Sequence, residues 1–195
     1  MAAKTSRTQA PGDLWIVQNF VNIAERGQAK EQLSSPQALG DYLTGAGLLP
    51  PGTELGEGEL RWATAIRKGL RLLLRVNEGK SLDPESIERL NQALTAKLQV
   101  RLKVDGSVGF VPVSSGFDGV VERLLAIVAE AQRDGTWSHL KLCLNPSCGQ
   151  AFYHPSHPGI AKWCSRRCGN QVNARIRRRR YGSAYQVPIL PRRRR

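Results

Sequence analysis

Four cysteines spaced Cys143-x4-Cys148-x15-Cys164-x3-Cys168 constrain the fold of this chain more than any other feature. Two close pairs at such a separation can reach one tetrahedral metal ion, and a short segment closed on a metal needs little apolar core of its own. The same segment holds the whole charge imbalance. Residues 139–195 carry thirteen Lys and Arg and no Asp or Glu, whereas residues 1–138 carry sixteen of each sign and sum to zero. The sequence therefore divides into a neutral body at 13–138, a metal-organised unit with a basic helix at 139–186, and an Arg-rich tail at 187–195 expected to be disordered.

The cysteines could instead form disulfides, which requires an oxidising compartment. Lys4 and Arg7 are followed by no apolar run, so no signal peptide is readable, and no stretch of about 18 apolar residues predicts a membrane span. A cytoplasmic chain with no membrane partner is the expectation, and there paired cysteines favour metal.

The body reads as mainly α with one β-hairpin. Leu14, Val17, Val21 and Ala24 set a helix over 13–25. Ser35-Pro36 supplies an N-cap and a first-turn proline for a helix that buries Leu39, Tyr42 and Leu43. Leu60, Ala63, Ile66, Leu70, Leu73 and Leu74 form a broad stripe over 59–76. Asp83-Pro84 starts another helix, with Leu90 and Leu94 on its buried face. The period then changes to two: Leu98, Val100, Leu102 and Val104 precede Asp105-Gly106, and a second run spans 108–113. A two-residue turn would pair Val100 with Val111 and Leu98 with Val113. A last body helix over 118–133 turns Val121, Leu124, Leu125 and Val128 inward. It leads through Trp137 so directly into Cys143 that the metal unit should be docked on the body.

The body has no His, no Cys and no convergent pair of acids, so an enzyme is not expected. Its carboxylates are assigned to helix surfaces or caps, Asp83 among them. Asn22 lies in an apolar stretch, where an amide either contacts a ligand or, more commonly, satisfies nearby backbone.

In the basic unit, Asn145-Pro146 turns the chain between the first two cysteines, and Phe152 is placed beneath the metal by a short strand. The second pair falls at a helix start, where exposed N–H groups favour thiolate. Four thiolates on one structural Zn²⁺ leave no open position and reduce the local charge from about +13 to about +11. His154 or His157 could replace a cysteine, but four sulfurs already suffice. Taking about 100° per residue, Val172 and Ile176 should pack on Phe152 and Trp163. The opposite side then presents Asn170, Gln171, Ala174, Arg177 and Arg178, whose Asn, Gln and Arg suit base edges; Arg175, Arg179 and Arg180 suit phosphates, and Asn173 is a further candidate contact to nucleic acid.

Trp163-Cys164-Ser165, then Cys168-Gly169-Asn170 and an arginine-rich helix, resemble the CGNR-type zinc finger of bacterial proteins. In that family the finger follows a mainly helical ABATE domain, associated with stress-induced transcription regulation. Asn19-Phe20-Val21-Asn22 is similar to the Asp-Phe-hydrophobic-Asn motif of that domain, and the likeness spans nearly the whole chain. Two positions depart from the pattern: the second pair is spaced x3 where x4 is common, and Gln171 stands where the name-giving Arg belongs. The resemblance implies Cys143, Cys148, Cys164 and Cys168 as ligands of one zinc, in a small treble-clef-like or knuckle-type finger ending in the basic helix. It implies a zinc-dependent regulator that binds nucleic acid, with duplex DNA favoured over RNA. The alternative is an RNA-binding protein whose Phe152, Tyr153, Tyr181 and Tyr185 stack bases. The body would then sense an unidentified small-molecule effector, form a homodimer surface, or both.

Overall fold

A computed structural model describes residues 9–23, 34–94, 96–155 and 161–181. The expected disordered tail at 187–195, His157 and Tyr185 lie outside the described residues. Among the described residues, six helices and four short strands run in the order α1 (Leu14–Asn22), α2 (Pro36–Gly45), α3 (Glu57–Val76), α4 (Pro84–Ala93), β1 (Leu98–Leu102), β2 (Val108–Pro112), α5 (Gly116–Arg133), β3 (Leu140–Leu142), β4 (Ala151–Tyr153) and α6 (Arg166–Tyr181). A 3-10 turn at Thr136–His139 joins α5 to β3.

The local signals act as the chemistry requires. Ser35 Oγ accepts from Ala38 N at 3.1 Å ahead of Pro36, and Asp83 Oδ2 accepts from Ser86 N at 2.9 Å ahead of Pro84. Glu59 reaches back to Gly56 N at 2.8 Å to close the start of α3. Helix α1 covers Leu14–Asn22, and Ala24 and residue 25, also expected in it, lie outside the described residues. The core joins α1, α2, α3 and α5 through Val17, Phe20, Val21, Leu39, Leu43, Ile66, Leu70, Leu74, Leu124 and Val128, all buried. Leu94 packs against this core only partly buried, and Leu90 is likewise half-buried.

The hairpin forms, but in a different register from the two-residue turn. Val100 pairs with Phe110, Leu98 with Pro112 and Leu102 with Val108. The loop holds three residues: Lys103 N donates to Ser107 O at 2.8 Å and Gly106 N donates to Lys103 O at 3.0 Å. A type I′ turn needs left-handed dihedrals at both Asp105 and Gly106. The three-residue loop asks this of Gly106 alone, at φ +80°, and leaves Asp105 Oδ1 free to accept from Ser107 N. A shift of one residue exchanges the neighbours of every side chain on the strand. Buried Gly109 lies beside Lys103 and Glu130, so the Arg101–Lys103 side of the sheet faces α5. The opposite side carries Val100, 61% exposed, and Leu102, 76% exposed, and none of the hairpin's apolar side chains belongs to the core.

The assignment of every body carboxylate to a surface or a cap fails at Glu122. Its side chain is 1% exposed within α5 and ties both ends of the hairpin to the helix. It accepts from Lys97 N (2.9 Å), Val113 N (2.7 Å), Ser114 N (2.8 Å) and Ser114 Oγ (2.8 Å). Burial acts to raise its pKa, but these hydrogen bonds outweigh it and hold the carboxyl at about 2.

Strands β3 and β4 form a second antiparallel hairpin, with Leu140 opposite Tyr153 and Leu142 opposite Ala151. Leu140, Leu142 and Ala151 belong to the body's core, so the metal unit is built onto the body. Both outer edges of this small sheet are closed by side chains. Asn22 accepts from Ala151 N at 2.7 Å and donates to Ala151 O at 2.9 Å, and Gln18 donates to the same carbonyl. On the other edge Asn77 Nδ2 donates to Leu140 O at 2.8 Å and Glu78 Oε1 accepts from Leu142 N at 3.1 Å. Asn22 thus satisfies backbone rather than contacting a ligand. Arg71 completes the junction by donating to Val21 O at the end of α1 and to Gly149 O beyond the first cysteine pair.

Candidate metal centre

Cys143 leaves the end of β3, and the chain reverses through Asn145 and Pro146 to Cys148. Cys143 N donates to Gln150 O at 2.8 Å and Cys148 N donates to Asn145 O at 2.8 Å, which closes a tight knuckle. The second pair brackets a helix start. Ser165 Oγ accepts from Cys168 N at 3.3 Å, the cap pattern that places Cys168 in the first turn of α6 and Cys164 just before it.

The four Sγ atoms lie within 4.8 Å of one another. Cys148 and Cys164 are 3.7 Å apart at sulfur, and Cys164 and Cys168 are 3.6 Å apart. A tetrahedron with Zn–S bonds of about 2.3 Å has edges of about 3.8 Å. A disulfide would require about 2.05 Å. The donor set and its spacing fit one structural Zn²⁺, and the x3 separation of the second pair, with the helix start between its members, still brings both sulfurs into the cluster. Among the described residues, these cysteines are the one group able to hold a metal, and His154 is not part of it. His154 instead lies at the end of β4, where its N–H donates to His139 O at 3.0 Å.

Burial would raise the thiol of Cys168. Hydrogen bonds from Asn145 and Ser165, together with Cys164 and Cys148, outweigh it and hold the group at about 7. Asn145 is 1% exposed and is the hub around the sulfurs. Its Nδ2 donates to Gln171 Oε1 at 2.8 Å, and its Oδ1 accepts from Ser147 N and from Arg175 Nη1. Arg175 Nη2 also donates to Ser147 Oγ at 2.7 Å. Asn145, Ser147 and the bracing use of Gln171 were not legible in the sequence beyond the turn propensity of Asn-Pro. The one available hint is the four-residue separation of Gln171 and Arg175, which puts both on one helix face.

Phe152, 2% exposed, packs with Cys143 and Cys168 and against Trp163, as its place beneath the metal requires. The expected packing of Val172 and Ile176 on that cluster does not occur. Of α6 only Cys168 belongs to it; Val172 is half-buried and Ile176 is 44% exposed. The small core reaches only the first turn of α6, and later turns extend past it. The candidate contact residues accordingly separate. Gln171 and Arg175 are exposed but hydrogen-bonded to the knuckle, while Asn170, Asn173, Arg177, Arg178, Arg179 and Arg180 are exposed without a bond to it. No helix among the described residues is long and apolar enough to cross a membrane.

Comparison with known proteins places these features. The family model for ABATE, described as "Putative stress-induced transcription regulator", matches residues 16–132. The model for the CGNR zinc finger matches residues 139–181. Comparison with the curated proteins gives no match.

Proposed function

This chain belongs to the ABATE family and carries a CGNR zinc finger, and on that premise we propose that it is a zinc-dependent DNA-binding transcription regulator whose helical body acts as a sensor. The carrying observation is the exposed run of α6 past a cysteine site that accommodates one Zn²⁺. Arg177 to Arg180 are exposed on a segment that has no acid anywhere from residue 139 onward, so no acid of that segment neutralises the cationic face. Asn170 and Asn173 stand on the same helix and can hydrogen-bond adenine bidentately, while the arginines suit guanine or phosphate. Zinc supplies no reaction here; bound to four thiolates it fixes the knuckle and the start of α6, and so sets the direction in which the helix leaves the body.

RNA is the second reading. It rests on aromatic side chains able to stack bases, of which one is enclosed and a second is partly covered. Phe152 is buried beneath the sulfurs, and Tyr153 is half-buried, with its ring 5.7 Å from that of His139. A groove-reading helix does not need them, which favours duplex DNA.

The test joins metal to binding. Zinc per chain is measured with and without chelator, and both forms are titrated with a random duplex library over a range of salt. One zinc per chain, a preferred sequence, and loss of binding on chelation are expected. With four to six phosphate contacts, log K should fall against log salt with a slope of about −4 to −5. Equal affinity for all duplexes, or undiminished binding after chelation, would overturn the reading. Competition with a structured RNA separates the two nucleic acids.

A further inference from the structure

Two cavities meet on the side of the body formed by α1, α2 and the loop after α2. The smaller, about 360 Å³, is lined by Trp15, Ile16 and Asn19 of α1 and by Asp41 and Tyr42 of α2. The larger, about 840 Å³, shares Asp41 with it and adds Glu54. Volumes of about 300 to 1,000 Å³ are those of small-molecule sites. The charge pattern is the informative part. In a chain of formal net charge +13, neither cavity is lined by a Lys, Arg or His among the described residues, and each presents a carboxylate. Among the described residues neither Asp41 nor Glu54 takes part in a salt bridge. Two aromatic rings beside a carboxylate attract a cation whose surface is apolar, because ring faces and carboxylate both favour positive charge while a methylated or alkyl ammonium sheds its water cheaply. Burial pushes the Tyr42 phenol up to about 12, so the ring stays neutral and its hydroxyl remains a donor.

We propose that the recess between Trp15, Asn19, Asp41 and Tyr42 binds a small organic ammonium ion, with its charge against Asp41 and its alkyl groups against the two rings. The proposal deepens the sensor role and rests on that reading only for its consequence, since binding itself needs no nucleic acid. The route to the finger is short. Helix α1 lines the recess with Trp15, Ile16 and Asn19, and the same helix holds β4 through Gln18 and Asn22 on Ala151. A ligand that fixes α1 therefore acts on the element to which the finger is bonded.

Calorimetric titration of the full, zinc-loaded chain with choline and with 3,3-dimethyl-1-butanol, its neutral isostere, tests this directly. Choline should bind saturably and at least about tenfold more tightly than the isostere, as expected when about 1.4 kcal/mol or more comes from the charge. Asp41→Asn, at an exposed position, should weaken choline about tenfold and leave the isostere unchanged; Trp15→Leu, which keeps apolar bulk, should weaken choline as well. Equal affinity for the two probes, or choline binding indifferent to Asp41→Asn, would overturn the site. These readings contain no nucleic acid, so they stand whether or not the chain binds a duplex. Duplex titration at saturating choline then reads the consequence: a shifted affinity supports the effector role, and an unchanged one overturns it.

Discussion

Asn22 shows how much one side chain can decide. An amide both donates and accepts, and Asn22 uses both functions on the two backbone groups of Ala151, in the way a neighbouring strand would. Aspartate keeps the shape but cannot donate to the carbonyl, and alanine leaves the N–H without this partner as well. Asn22→Asp and Asn22→Ala should each lower stability by about 1–3 kcal/mol, measured by urea denaturation. Leu102→Thr on the exposed side of β1 should stay within about 0.5 kcal/mol. The sequence placed Asn22 in an apolar stretch and so marked it as a polar group needing a partner. Its partner, 129 residues away, had no local signal. Glu122 was illegible for the opposite reason, because a charged residue on a helix is ordinarily a surface residue. Its folded pKa lies below the ordinary carboxylate value, so its contribution is complete above about pH 4.5 and is lost as pH falls toward 2. Urea midpoints of wild type and Glu122→Gln should therefore differ most near neutral pH and converge between pH 4.5 and 2. A gap that widens on acidification would contradict the assignment.

At the scale of elements, most of what was legible came from caps and periodicity. Ser35, Asp83 and the stripes of α3 and α5 are local signals, and their helices form where those signals stand. The hairpin was legible as a hairpin, but its register depended on whether one or two turn residues adopt left-handed dihedrals, which Asp-Gly alone leaves undecided. The same distinction between local preference and packing gives a prediction for Gly119 in α5. Alanine is the better helix former by about 1 kcal/mol, so propensity alone expects Gly119→Ala to stabilise. A Cβ there would lie 2.4 Å from Ser114 O, a backbone atom whose residue is held by Glu122 through both its N–H and its hydroxyl. Backbone so anchored cannot move aside cheaply, and relieving the overlap should cost about 1–3 kcal/mol, more than the propensity gain. The expected outcome is a lower Tm with the hairpin detached, seen as faster hydrogen exchange at Val113 and Ser114. A raised Tm would show that the loop relaxes freely.

The whole molecule joins a neutral body to a cationic metal unit, and the junction explains why the cysteine site and the docking were legible in the sequence while the contacts that make the junction were not. Cysteine spacing and the absence of acids are readable one residue at a time. The sharing of Leu140, Leu142 and Ala151 between the body's core and the finger's hairpin depends on tertiary contact. Two clusters follow, one large and without a cysteine, one small and built from Cys143, Phe152 and Cys168 around the sulfurs. Removing zinc should therefore divide the molecule unevenly. Among the described residues the small cluster holds, beyond the four cysteines, only Phe152, Ala161 and Trp163, too little to hold the knuckle, and α6 loses its capped start, since an isolated helix of 16 residues is marginal in water. The core of α1, α2, α3 and α5 keeps its own contacts, and β3 and β4 keep the side-chain bonds from Asn22, Asn77 and Glu78. Chelation should then lower the far-UV helical signal by about one helix's share while leaving a cooperative thermal transition, and Arg71→Ala should make that loss larger by freeing the Gly149 end of the knuckle. Complete loss of the cooperative transition on chelation would mean that the body depends on zinc, and that the division between the two cores is not a division in stability.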